Sequence, residues 1–125
     1  CPGERCLMET VAACEAYGKG QTSLNELKPL LREAAQVARA LADHPVAQAA
    51  ARAISVACST VQTPTNALGY LFYGAAAIAY SQAGLDRTAE EYEELAAVEF
   101  QRAYASLQKA CIPDEPHPAK LHWNC

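Results

Sequence analysis

Hydrophobic residues dominate the middle of the chain, residues 45–84. Nearly every position there is small or apolar, and Arg52 is its only charged residue, so helices in this region have little polar surface to offer water. The stretch divides at a Gln-Thr-Pro step, residues 62–64, which predicts two Ala-rich helices packed as a central hairpin. The segments on either side show one apolar stripe and one polar face, a pattern typical of helices that pack around such a hairpin.

Five helices are predicted in chain order. They cover Glu4–Tyr17, a segment capped at Ser23, Pro45 to about Val61, Pro64–Ala83, and about Arg87–Cys111. Ser23 and Glu26 have the spacing of a capping box, Gly84 is suited to end the fourth helix, and Asp86 is the predicted cap of the fifth. Pro29 predicts a kink in the second helix, or a start one turn later.

Two glycines lie inside the fourth helix. Gly69 and Gly74 each cost about 1 kcal/mol of helix propensity, which predicts close approach by the Ala-rich third helix. The fifth helix carries an apolar stripe at spacings of three and four, which predicts the side that it buries. The members of that stripe are Tyr92, Ala96, Phe100, Ala103, Leu107 and Ala110.

The composition is that of a globular, all-α, single-domain bundle of about five helices spanning residues 1–125, in which residues 112–125 form an irregular tail. Hydrophobic residues make up 51% of the 125 positions and charged residues 19%, values ordinary for a folded domain. The longest uncharged apolar run, residues 67–80, is shorter than the roughly 20 residues that a bilayer requires, so no transmembrane segment is predicted. The chain starts without an initiator Met or a leader, which indicates a trimmed or mature product.

The net charge of −4 arises entirely from residues 63–125, because residues 1–62 contain equal numbers of acids and bases. Most of the acids lie on the fifth helix, and we predict Glu90, Glu91 and Glu94 as contacts to a partner. Clustered acids disfavour nucleic-acid binding and favour a basic protein partner. The alternative is a solvated helix surface that keeps the protein soluble.

The six cysteines fall into two groups. Cys14 and Cys58 lie on apolar helix faces, where we expect them to behave as small buried hydrophobes. The others, towards the chain ends, are Cys1, Cys6, Cys111 and Cys125. They could form two disulfides, stay unlinked, or bind zinc together with His117 and His122; an acylated N-terminal Cys is a further alternative. Their spacing matches no strong zinc signature, so no cofactor is predicted and zinc is kept as the alternative.

A second candidate site lies at the hinge between the two Ala-rich helices. Gln62, Thr65 and Asn66 are polar residues at the break, and Tyr70 and Tyr73 follow on the fourth helix. Together they could line a cleft that binds a ligand or partner. The alternatives are helix capping for the polar group and core packing for the tyrosines.

The sequence on both sides of this hinge resembles that of a known protein family. The run VQTPTNALGYLFY at residues 61–73, with the Ala-rich stretch before it, is similar to the core of the Imm-5-like putative immunity proteins, small helical proteins grouped with bacterial polymorphic-toxin systems. The order of helix, Gly-rich break at residues 18–20 and capped helix is also similar, so the resemblance covers about residues 7–84. The family pattern has histidines where this chain has Gln62 and Asn66, so no metal or acid-base role carries over.

The resemblance implies a non-enzymatic protein that binds and neutralises a cognate toxin, and the acidic fifth helix suits a basic one. We expect a cytoplasmic protein with a protein partner, and homo-oligomers are compatible with the pattern. The alternative is a secreted, envelope or periplasmic domain that is cross-linked by disulfides. Such a domain would bind a small ligand or a protein. A small enzyme using Cys58 or His44 is a third hypothesis, but no catalytic residues are assigned, because no catalytic constellation stands in the sequence.

Overall fold

The structure is a computed structural model of the chain, and it describes residues 2–116. These residues form five α-helices and no strand, which confirms the predicted all-α fold. The helices are α1 (Pro2–Gly18), α2 (Leu24–Ala40), α3 (Pro45–Ser59), α4 (Ala67–Ala83) and α5 (Ala89–Ala110), and a 3₁₀ turn, Pro64–Asn66, precedes α4. None of the five is long and apolar enough to cross a bilayer.

The α3–α4 hairpin is central, as predicted. α3 packs against α1, α2 and α4, whereas α5 packs against α4 alone among the described elements. The helices therefore follow one another across the molecule, with the α1–α2 pair on one side of the hairpin and α5 on the other. α5 therefore has a single neighbouring helix, whereas α1, α2 and α3 each pack against at least two.

The core lies between α1, α2 and α3. Its two clusters of buried side chains are Leu7 with Ala34, Ala38 and Ala51, and Leu27 with Leu31 and Cys58. Alanines at these positions let the helix axes approach closely. Thr10 is fully buried among them, and its hydroxyl donates a hydrogen bond to the Cys6 carbonyl at 2.8 Å, so this polar side chain is satisfied inside the core.

α4 is less enclosed than its sequence predicts. We expected nearly every face of it to be buried, but only Ala75 and Ala79 are, and Leu68, Tyr70 and Phe72 are exposed. The reason is topological: α3 covers one side of α4 and α5 covers another, and no further described helix packs against it. A helix of apolar sequence is therefore buried on all sides only where enough other helices pack around it.

The helix starts were predicted with mixed success. The capping box of Ser23 and Glu26 at α2 is present as predicted. The predicted Asp86 cap of α5 is wrong, because Thr88 is the N-cap and shares a capping box with Glu91. Thr88 has a Glu three residues after it, and this pairing satisfies two free backbone N–H groups at once.

α2 also runs without interruption through Pro29. It begins at Leu24 directly after its cap, so the alternative start one turn later is wrong. Pro29 lies in the second turn, where its missing N–H removes one hydrogen bond to the first turn. The capping box at the start of the helix holds that first turn in place.

The glycines of α4 differ in what they do. A Cβ at Gly69 would lie 3.1 Å from the Val56 side chain, so close packing on α3 explains this glycine, as predicted. Gly74 has only its own helix's Tyr70 within 4 Å, so the predicted approach of α3 is wrong there. Gly84 ends α4 with φ +79° and ψ −169°, a region that only glycine adopts readily, although it is not the predicted left-handed helical one.

After α5 the described chain continues without helix through residues 112–116, where Asp114 has φ +54°. The remaining residues of the predicted irregular tail, 117–125, lie outside the described residues. The extent of that tail therefore stays a prediction.

Candidate functional site

The acidic face, defined as Glu90, Glu91 and Glu94, lies in the first two turns of α5. Glu90 and Glu94 are one turn apart and exposed, and neither carboxylate forms an ion pair or hydrogen bond with another residue of the described part of the chain. The more buried side of α5 is turned away from them, towards α4. Glu90 and Glu94 are therefore available to an external partner.

Glu91 has a different role. One of its carboxylate oxygens accepts a hydrogen bond from the Thr88 backbone N–H at 2.9 Å, and the other pairs with the Arg87 guanidinium at 3.4 Å. Arg87 also donates to the Ala83 carbonyl at 3.0 Å. Glu91 thus fixes the start of α5 and the connection to α4, and it is the least available of the three predicted contacts.

Two tyrosines fix the position of α5 on α4. The Tyr92 hydroxyl donates a hydrogen bond to the Gly84 carbonyl at 2.8 Å, and its ring packs edge-on against Tyr80 with centroids 5.3 Å apart. A second edge-to-face pair, Phe72 with Phe100 at 5.7 Å, lies two turns further along α5. These two pairs define an antiparallel register that brings the start of α4 beside the second half of α5.

That second half of α5 carries exposed apolar side chains. With their neighbours on α4 they form what we call the apolar strip: Leu68, Phe72, Phe100, Tyr104 and Leu107, which are between 37% and 66% exposed. Phe100 and Leu107 belong to the stripe that the sequence predicts to be buried, and this prediction is wrong because α5 has only α4 beneath it and buries no residue completely. The strip is an apolar surface on the half of α5 that follows the acidic face.

The two surfaces lie in different halves of α5. At 3.6 residues per turn and 1.5 Å per residue, Tyr104 lies about 40° around the helix from Glu90 and about 21 Å further along its axis. Large apolar patches at the surface of a protein mark interaction sites more often than isolated exposed residues do. Sequence periodicity could not find the strip, because the same spacing is expected of a buried helix face.

The hinge residues do not form one cleft. The Asn66 side-chain amide donates a hydrogen bond to the Ser59 hydroxyl at 2.7 Å, which joins the 3₁₀ turn to the end of α3. Tyr73 faces α3, where the Arg52 guanidinium lies 5.7 Å from its ring centroid, and Tyr70 is 45% exposed. Thr65 is half-buried in the 3₁₀ turn.

Gln62, by contrast, lines a groove between α2 and α3. The lining of that groove includes none of the other four hinge residues. It includes three bases of α2, Lys28, Arg32 and Arg39, which our sequence analysis did not single out. Their spacing of four and seven residues places them on one face of a helix, and this was the signal available in the sequence.

The internal cysteines are free thiols, as expected. The Cys14 thiol donates to the Cys58 carbonyl at 3.7 Å. Burial raises the pKa of Cys58 to about 12, with the nearby Cys14 adding to the shift, and burial also raises the pKa of Cys14. A thiol that stays protonated is a poor nucleophile, so neither is suited to catalysis.

The terminal cysteines and histidines are only partly described. Cys6 and Cys111 are free thiols on α1 and at the end of α5, two helices that do not contact each other. The other predicted disulfide or zinc ligands lie outside the described residues: Cys1, His117, His122 and Cys125. Among residues 2–116 no three His, Cys, Asp or Glu side chains are grouped to hold a metal ion.

Comparison with known proteins identifies a family. Residues 1–105 match the family model described as Imm-5 like putative immunity protein. This match extends beyond the resemblance over residues 7–84, and it includes α1 to α4, the acidic face and the strip residues up to Tyr104. No curated protein and no solved structure matches the chain.

Proposed function

The chain belongs to the Imm-5 like putative immunity protein family, and from this premise we propose that it binds and neutralises a cognate bacterial toxin. The contact surface that we propose is the acidic face of α5 together with the apolar strip further along the same helix. The partner is a protein whose own contact surface is basic.

The observation that carries this proposal is that one helix bears both exposed apolar side chains and unpaired carboxylates. Protein interfaces commonly have an apolar centre with aromatic anchors and a polar rim. Phe100 and Tyr104 have the chemistry of such anchors, and Glu90 and Glu94 have that of a rim. The two parts contribute differently, because apolar contacts lengthen the lifetime of a complex whereas rim charges raise its association rate.

The charge distribution supports a basic partner. The whole net charge of −4 falls in residues 63–125, and an uneven field of this kind attracts a surface of opposite charge over about a Debye length, roughly 8 Å at physiological salt. We therefore expect association with the toxin to slow as the salt concentration rises.

A charge reversal tests the proposal. The double variant Glu90→Lys/Glu94→Lys should bind the cognate toxin about tenfold more weakly or worse. Its melting temperature should stay within a few degrees of the parent, because both side chains are exposed and unpaired within the described chain. Binding is measured by calorimetry at two salt concentrations, and neutralisation by growth of cells that co-express both proteins.

The matched control is Glu15→Lys/Asp43→Lys, which changes the net charge equally at exposed positions on α1 and in the α2–α3 loop. It should retain most of the affinity. Equal weakening in both double variants would mean that only net charge matters. Unaltered affinity in the α5 variant would remove the acidic face from the contact surface.

A further inference from the structure

A second concave surface lies between α2 and α3, away from α5. The groove encloses about 640 Å³, a volume within the range of sites for small organic ligands. Its lining comes from one face of each helix and the residues just after α3: Lys28, Leu31, Arg32, Ala35, Gln36, Arg39, Ser55, Val56, Ser59 and Gln62.

All charges in this lining are positive. Lys28, Arg32 and Arg39 contribute them, and no acidic residue lines the groove. Within the described chain none of the three bases forms an ion pair, although the protein as a whole is acidic. Three unpaired cations along one groove favour an anionic occupant.

The opposite wall supplies a hydrogen-bond donor. Ser55 is only 8% exposed, it lines the groove, and its hydroxyl makes no hydrogen bond to any other described residue. The neighbouring Ser59 differs, because its hydroxyl donates to the Val56 carbonyl at 2.8 Å and accepts from Asn66. No fully buried side-chain oxygen of the described chain lacks a partner, so the Ser55 hydroxyl is open to the groove, where it can donate to a ligand.

The register of the two helices places Ser55 among the bases. Cys58 clusters with Leu27 and Leu31, and Ala51 clusters with Ala34 and Ala38, so residues at similar distances from the α2–α3 loop lie near each other. Ser55 therefore lies near the segment between Lys28 and Arg32, whereas Arg39 lies nearer the loop.

Along the axis of α2 the bases form two groups. Lys28 and Arg32 are about 6 Å apart, and Arg39 is about 10 Å beyond Arg32, at 1.5 Å per residue. Between the two groups the α2 lining is Ala35 and Gln36, whereas Leu31 and Val56 lie beside the Lys28–Arg32 group. The groove thus offers two cationic positions about 10 Å apart along α2.

We propose that this groove binds an organic dianion whose two carboxylate or phosphate groups are about 10 Å apart, the axial spacing of Arg32 and Arg39. One anionic group contacts Lys28, Arg32 and the Ser55 hydroxyl, and the other contacts Arg39. Arginine suits such groups because its planar guanidinium can donate two parallel hydrogen bonds to one carboxylate or phosphate. The inference does not depend on toxin binding, since α2 contacts neither α4 nor α5.

The test is an NMR titration of the isotope-labelled protein with sebacate, a ten-carbon dicarboxylate. We expect saturable shifts confined to amides of α2 and α3, and weaker binding of decanoate and inorganic phosphate, which each engage one end of the groove. Arg32→Glu and Arg39→Glu should each weaken sebacate binding about tenfold or more. Ser55→Ala should weaken it less than either reversal, because one neutral hydrogen bond is lost.

Lys109→Glu is the matched control, because it reverses an exposed base on α5 and should leave the titration unchanged. Circular dichroism checks that each variant is folded. Shifts that do not saturate would overturn the proposal. So would a Lys109→Glu variant in which sebacate binding is weakened as much as in the two arginine variants. Tighter binding of hexaglutamate than of sebacate would also overturn it, because the occupant would then be an acidic peptide. Tighter binding of inorganic phosphate than of sebacate would overturn it too, because one cationic position would then suffice.

Discussion

At the scale of single residues, neighbours decide which side chains are available for chemistry. Glu90 and Glu91 are adjacent and were equal candidates in the sequence, yet only Glu91 is held by Thr88 and Arg87. Likewise Ser55 and Ser59 line the same groove, but Asn66 and the Val56 carbonyl already engage Ser59. Residue type alone could not separate the members of either pair.

The cysteines give a prediction at this scale. Iodoacetamide near neutral pH should modify exposed Cys111 early and buried Cys58 last, because only the thiolate reacts and burial raises the pKa of Cys58 to about 12. The order is read from peptide masses after timed quenching. Cys58 reacting as fast as Cys111 in the folded protein would contradict it.

The same shift has a consequence for stability. Because the pKa of Cys58 in the folded chain lies above its ordinary value of 9.0, the neutral thiol stabilises the folded state below pH 9. This contribution is lost as the pH rises from 9 towards 12, since the unfolded chain ionises first. A Cys58→Ala variant should lose less stability across that range than the parent does.

At the scale of the helices, local signals and tertiary neighbours act separately. The caps, the breaks between helices and the glycine that ends α4 depend on a few adjacent residues, and the sequence predicted most of them. The covering of each helix depends on residues far along the chain. α5 has the periodicity of a buried helix, but it lies on α4 alone and leaves Tyr104 62% exposed.

The exposure of Tyr104 gives a prediction for α5. Tyr104→Ala should weaken toxin binding by about 2 kcal/mol if Tyr104 is an aromatic anchor of the interface, and it should change thermal stability little, because the side chain is largely exposed. Met8→Ala is the control, since Met8 is 59% exposed on α1. A large drop in melting temperature for Tyr104→Ala, with unchanged affinity, would assign Tyr104 to the fold instead.

At the scale of the whole molecule, stability should be uneven. The buried clusters join α1, α2 and α3, whereas α5 buries no residue fully and packs on α4 alone. Elements with few buried contacts open more readily than the core around them. An open α5 would also expose the α4 side chains that now lie beneath it.

Native-state hydrogen exchange measures this difference. Amides in α5 should exchange faster than amides in α2 and α3, and binding of the toxin should slow exchange in α5 most. Sedimentation at several protein concentrations is the control, because a second copy covering the apolar strip would protect α5 in a concentration-dependent way. Equal protection of all five helices in the monomer would contradict the prediction.

The sequence by itself determined the helical character, the approximate bounds of the helices, the Ser23 cap and the Gly84 terminator, because these features depend on residues within a turn or two of each other. The family resemblance also came from sequence alone. The acidic character of α5 was visible as well, because charge adds up along a chain without knowledge of its fold.

Only the tertiary structure decided which apolar faces are covered, that Glu91 holds a helix start, and that three bases of α2 and Ser55 of α3 line one groove. These are contacts between elements, and hydrophobic periodicity reports that a face is apolar but not whether the fold provides a neighbour for it. The apolar strip is exposed for this reason: burial depends on the number of helices that pack around a position, which no local pattern encodes.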